Sequence, residues 1–337
     1  MSRLIGIALM VLVLYGLLVG NYETARSVNN HLDLMRRLGF YGILTIGVGV
    51  LIISGGIDLS IGSLVGLSAV TFGTLVQGGA RLPLTNTPLA PMPSGLAAVI
   101  VVAASSLIGL FHGLLVTRLR LQPFLVTLCG LFIYRGLART ISQKTVGLTI
   151  DPSHQGAAEL QARANDLAEL LVRGMPLGVP NILLVLLALA AIVALVVHGT
   201  VYGRYLYAVG ANEQAARYAG IATDRVKVAA YIFTAVMSGL GGVLYLMEYS
   251  TANPTTAGSL FELYAITGAV LGGCALRGGE GTVPGMVLGA AVLPLLAKLC
   301  NFTPWIGSEQ EYTVIGAALL AGTVANELIR RFTRAGR

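Results

Sequence analysis

Asp58 is the residue of this 337-residue chain best placed to do chemistry, and it is the only charge in the run from Leu38 to Gln77. It stands inside SGGIDLSIGS, with Ser54, Gly55 and Gly56 before it and Ser60 two residues after. A carboxylate there can accept from hydroxyls and from backbone amides freed by the glycines. It can also line a polar path. A second carboxylate, Glu262, opens an apolar stretch near the C-terminal third. A third group of polar residues runs from Asn212 to Gly220. Asn212 can cap a helix, Glu213 in the first turn suits the helix dipole, and Gly220 can close it, with Ala215 and Ala216 between.

Other chemistries are excluded by what the residues lack. The lysines, Lys144, Lys227 and Lys298, follow Gln, Val and Ala, so no phosphate-binding GxxxxGK[ST] loop exists. No HExxH or GxSxG pattern occurs. Cys129, Cys274 and Cys300 lie in apolar segments without CxxC spacing, which reads as buried small hydrophobes and not as disulfides or a zinc site. His31, His112, His154 and His198 show no ligand spacing. No catalytic cluster and no cofactor site is expected.

The elements that must hold these residues are membrane helices. The chain is 55% hydrophobic and 11% charged, where a soluble domain carries roughly 25% charged residues. Its mean hydropathy is +0.79. A crossing needs roughly 20 apolar residues, so Leu38–Gln77 has room for two, with Ser54–Ser63 between them. A charge at bilayer depth costs about 2.5–3.5 kcal/mol or more, and irregular backbone there must lie in protein or beside a water-filled cavity. The decapeptide therefore reads either as a break between helices facing a polar path, or as a tight turn in which Asp58 caps the next helix. The net charge of +7 gathers in short loops and at the C-terminus, which points to topology and lipid contact and not to nucleic acid.

Ten spans are expected in a single domain, residues 1–337. After Leu4–Gly20, an uncleaved first helix by its lack of a small-x-small cleavage site, come the organising pair, Gly95–Thr117, Leu121 to about Ile141, Val179–His198, Val228–Met247, Leu260–Leu276, Thr282–Cys300 and Tyr312–Ile329. The C-terminal arginines place both termini in the cytoplasm. The loop 142–178 is then external, and its stretch Gly156–Arg173 has helical apolar spacing for an amphipathic helix on the membrane surface or over the bundle end. The loop 199–227, which holds Asn212–Gly220, is cytoplasmic; its short capped helix suits a lever for a soluble motor domain or an ordinary surface helix. Small-xxx-small steps, Gly16/Gly20, Gly62/Gly66, Gly109/Gly113, Gly268/Gly272 and Gly285/Gly289, suit close helix packing.

Four stretches carry a resemblance. They are ISGGIDLSIGS (Ile53–Ser63), LQPFLVTLCGLFIYRGLA (Leu121–Ala138), GRYLYAVGANEQAARYAGI (Gly203–Ile221) and FELYAITGAVLGGCALRGGEGTVPG (Phe261–Gly285). Together, in this order and spacing, the chain resembles the membrane permease subunits of bacterial sugar-uptake ABC transporters, of the ribose/xylose/arabinose/galactoside type. His112 before Gly113, where the family usually has Asn, and Cys274–Ala275 after the double glycine are departures that bear on the substrate.

The resemblance implies an all-α permease bundle in the inner membrane that imports a monosaccharide or related sugar by alternating access. It implies a second permease chain, identical or not, a cytoplasmic ATPase that binds ATP in its stead, and a periplasmic or lipid-anchored sugar-binding protein. Asn212, Glu213, Ala215, Ala216 and Gly220 would couple to the ATPase. Ser54, Gly55, Gly56, Asp58 and Ser60 would form the path or hold the break, with Glu262 a further candidate. A branched-chain amino acid permease of similar architecture is the main alternative. A self-powered carrier should show several intramembrane charges and an inverted repeat, and neither is evident.

Overall fold

A computed structural model describes residues 2–78 and 89–303, with scattered positions from 310 to 320. Most of the Pro- and Thr-rich loop Gln77–Ser94, most of the expected span Tyr312–Ile329 and the C-terminal arginines lie outside the described residues.

The other nine expected spans fall on helices: α1 (Ser2–Asn21), α2 (Val28–Ile53), α3 (Ile61–Gln77), α4 (Ser94–Thr117), α5 (Pro123–Ile141), α7 (Asn181–Gly199), α10 (Thr223–Tyr249), α11 (Phe261–Leu271) and α12 (Val283–Phe302). Seven of them are long and apolar enough to cross a bilayer; α3 and α11 are shorter. Three shorter α-helices are also described: α6 (Ala157–Ala168), α8 (Val201–Ala211) and α9 (Glu213–Tyr218). The chain is a multi-pass membrane protein.

The eighth expected span needs correction. Leu260–Leu276 yields a helix of only 11 residues, α11, about 16 Å long and half the hydrocarbon thickness. Its N-terminal boundary is set by Gly258 and Leu260, both left-handed (φ +71° and +66°), and its C-terminal one by Gly273 (φ +94°). The apolar composition continues past the C-terminal end to Leu276, but the α-helix stops at Leu271. On the N-terminal side, Ala257 and Gly258 lie against Gly66 and Gly62 of α3. Irregular backbone is thus enclosed by protein, as a bilayer requires.

α2, α3, α4 and α10 form the centre: α10, the longest helix at 27 residues, packs along α4, α3 and α2. Four of the five expected glycine steps mediate close approach. A Cβ at Gly109 would lie 2.6 Å from the Tyr231 carbonyl of α10, and one at Gly113 2.9 Å from Val228 Cα. Gly268 of α11 and Gly272, its C-cap, face Gly289 and Gly285 of α12 backbone to backbone. Gly62 and Gly66 seat the segment before α11. Gly16/Gly20 is different: among the described residues nothing lies within 4 Å of a Cβ at either, because α1 is a peripheral helix that packs mainly against α12.

The segment 142–178 lies over one end of the bundle. In α6, Ala157, Ala164 and Ala168 are buried, and Leu160 and Leu167 pack against the main core. The amphipathic face therefore covers the ends of α4 and α10. Short strands β1 (Val146–Gly147) and β2 (Thr251–Ala252) pair antiparallel. The turn Glu169–Arg173 is fixed by Arg173, which donates to the Met247 carbonyl and to Ser250 Oγ, both at 2.9 Å.

Candidate functional site

The break between α2 and α3 is built by its own residues. Gly55 is left-handed (φ +80°), so Gly56 N–H turns back to the Leu51 carbonyl (3.0 Å) and Gly55 N–H to that of Ile52 (2.9 Å). That double bond pattern closes a helix C-terminus and satisfies carbonyls that would otherwise be orphaned. Ser54 Oγ adds a bond to the Leu51 carbonyl at 2.7 Å. Asp58 Oδ1 then accepts from Ser60 N–H (2.7 Å) and Ser60 Oγ (2.6 Å). Ser60 is the N-cap of α3, and its carbonyl accepts from Leu64 N–H at 2.8 Å. Asp58 therefore fixes the position from which α3 starts. It is 2% exposed and Ser54 and Ser60 are no more so; among the described residues none of the three faces an open channel.

The second carboxylate oxygen meets residues that sequence spacing did not bring together. Asp58 Oδ2 lies 3.9 Å from His112 Nδ1 of α4, and His112 Nε2 shares a 2.7 Å hydrogen bond with Tyr134 Oη of α5. From α10, Tyr231 Oη reaches the Ile57 carbonyl at 3.4 Å. In the sequence His112 stands out as a departure from the family pattern, with no ligand spacing and nothing that pairs it with Asp58.

Glu262 sits in the first turn of α11, buried over Gly62 of α3. Its Oε2 makes no hydrogen bond among the described residues. Arg135 of α5 donates instead to the Ala257 carbonyl.

The Asn212–Gly220 segment forms a helix capped at both ends. Asn212 Oδ1 accepts from Ala215 N–H at 3.0 Å. Gly220 has φ +84°; its N–H bonds the Arg217 carbonyl and that of Ile221 bonds Ala216, each at 3.0 Å. This is the same terminator that ends α2. Ala216 is buried and anchors the turn, while Ala215 is exposed and Tyr218 is 91% exposed. Glu213 pairs with Arg217 (3.2 Å) and with Lys227, and Arg217 with Asp224 (3.1 Å), so α9 is tied to the start of α10. Between α9 and the turn joining α4 to α5 lies a cleft of about 510 Å³, lined by Val116, Arg120, Glu213, Arg217 and Lys227 among others.

The geometry is that of an apolar multi-pass helical bundle with enclosed helix breaks and an exposed, doubly capped turn, an architecture suited to a membrane permease. Residues 30–323 match the family described as branched-chain amino acid transport system / permease component, and the chain belongs to that family. It is similar to the ribose import permease protein RbsC of Escherichia coli K12, 31% identical over 325 residues that cover 95% of this chain and 92% of that one. It is also similar to the xylose transport system permease protein XylH of the same organism (29% over 364 residues; 93% and 87%). The autoinducer 2 import system permease protein LsrC of Yersinia enterocolitica matches at 35% over 251 residues (74% and 62%). No solved structure matches.

Proposed function

We propose that the chain is the membrane permease subunit of an ATP-driven importer for a monosaccharide or related sugar in a bacterial inner membrane. The observation that carries this is the nearly end-to-end likeness to import permeases named for ribose and xylose. It favours a sugar over the branched-chain amino acid alternative, although the family description bears the latter's name. The chain holds no phosphate-binding loop, so ATP is hydrolysed on a separate subunit, and a binding protein outside the membrane delivers the solute to a pair of permease chains.

In this reading α9 is the docking turn. Its caps make it a rigid body, and its ion pairs to Asp224 and Lys227 join it to α10, which runs through the bundle centre. A displacement of α9 by the ATPase therefore reaches α2, α3 and α4 through packed helices, as a two-state rigid-body change requires. The basic C-terminus, Arg330 to Arg337, supports an orientation with α9 and both termini on the cytoplasmic side. Asp58 holds the break in shape; a neutral sugar needs no counter-charge.

Gly220→Pro tests the coupling role. Proline is held near φ −65° and has no N–H, so it can take up neither the left-handed geometry nor the bond to Arg217. The variant should insert and fold but lose ATP-driven uptake in proteoliposomes. Uptake at the wild-type rate contradicts the role.

A further inference from the structure

Three stretches of backbone meet without intervening side chains where α8 ends. The last carbonyls of a helix have no partner within it, and Ile53, the last residue of α2, offers its carbonyl to Gly279 N–H at 2.8 Å. Gly279 sits in a hairpin after α11, closed by Ala275 N–H to the Glu280 carbonyl (3.1 Å) and Gly278 N–H to that of Ala275 (2.8 Å). Gly278 and Gly279 are both left-handed, at φ +90° and +75°. Gly210, in the last turn of α8, fits between them. A Cβ there would overlap the Ile53 carbonyl and come within 2.5 Å of Gly279 N. A Cβ at Gly278 would lie 2.7 Å from the Gly210 carbonyl and 2.9 Å from Gly55 N. One turn earlier on α8, Tyr207 Oη donates to the Gly281 carbonyl at 2.7 Å.

We infer that Gly210 is a positioning residue that locks the end of α8 to both helix interruptions, the α2–α3 break and the hairpin 274–281, so that they move with α9. One residue, Asn212, separates α8 from α9, and its side chain caps α9. The link from docking turn to break is therefore backbone against backbone, with no flexible side chain to absorb a displacement. The inference rests on the coupling reading of α9 and names how its movement reaches the interior. Cys274 Sγ faces Gly281 inside the same hairpin.

The test uses the chain co-purified with its native ATPase and reconstituted with its binding protein, and reads solute transported per ATP hydrolysed. Gly210→Ala should remain assembled with the ATPase while this ratio falls about tenfold, the size of a coupling change carried by one contact network. Gly199→Ala, where nothing lies within 4 Å, should leave the ratio unchanged. An assembled Gly210→Ala complex with the wild-type ratio overturns the inference. Should Gly210→Ala fail to assemble, Tyr207→Phe decides: it removes one hydroxyl, and a ratio lowered about threefold supports the lock, whereas the wild-type ratio overturns it. Transport that proceeds without any ATPase would instead refute the proposed function, whatever these variants do.

Discussion

Replacing Asp58 separates its two candidate roles, and the structure sets the size of the effect. Its Oδ1 accepts from both the amide and the hydroxyl of Ser60, a residue with no exposed surface. Asp58→Ala leaves both donors without that acceptor. A buried donor left unsatisfied costs about 1–3 kcal/mol; the hydroxyl can rotate towards another acceptor, but the amide cannot. The expected loss, carried mainly by the amide, is therefore about 1–3 kcal/mol. Asp58→Asn keeps an oxygen at the same place and loses only the charge assistance, so its cost is about 1 kcal/mol. The assay is unfolding of the purified chain by SDS titration in mixed micelles, followed by far-ultraviolet circular dichroism, with uptake measured in parallel. The expected order is wild type, then Asn, then Ala, with uptake falling in the same order. A stable Asp58→Ala chain refutes the structural role. An Asp58→Asn chain of wild-type stability that no longer transports refutes it too, and assigns the carboxylate to the path.

Two further outcomes follow from packing and from the segment 142–178. Gly62→Ala would drive a methyl group into Glu262 Oε2 and the Gly258 carbonyl; overpacking of this kind costs about 1–3 kcal/mol, and SDS titration should show that loss, whereas an unchanged midpoint would contradict the close seating of α11 on α3. Arg173→Ala removes the two bonds that tie the turn Glu169–Arg173 to Met247 and Ser250; bonds from a charged donor contribute about 1.5–3 kcal/mol each, so a protease added outside should cut between residues 142 and 178 several-fold faster, and an unchanged rate would contradict the tie.

The parts of this fold legible in the sequence are those fixed by local backbone chemistry. Gly55–Gly56 after an apolar run marks a helix break, and the break occurs; Asp58, expected to line a path or to cap the next helix, instead accepts from Ser60, which is the N-cap of α3. Asn212 and Gly220 announce the two ends of α9 in the same way. The parts not legible depend on which helices become neighbours. Nothing local links His112 and Tyr134, on α4 and α5, to Asp58, and no spacing rule brings Gly210 to Ile53 and Gly279. Hydropathy failed at α11 for a related reason: it counts apolar residues, and Leu271–Leu276 stays apolar on average while the chain leaves the helix at Gly272–Gly273. Gly16/Gly20 shows the converse, since a small-residue step is a packing surface only when a neighbour arrives.

The most direct test of the account is solute accumulation in sealed vesicles holding this chain alone, compared with vesicles that also hold its ATPase, with binding protein and sugar outside and ATP at the ATPase face. The account predicts accumulation only in the second set, and its abolition when ATP is withheld. Accumulation by the chain alone would contradict it.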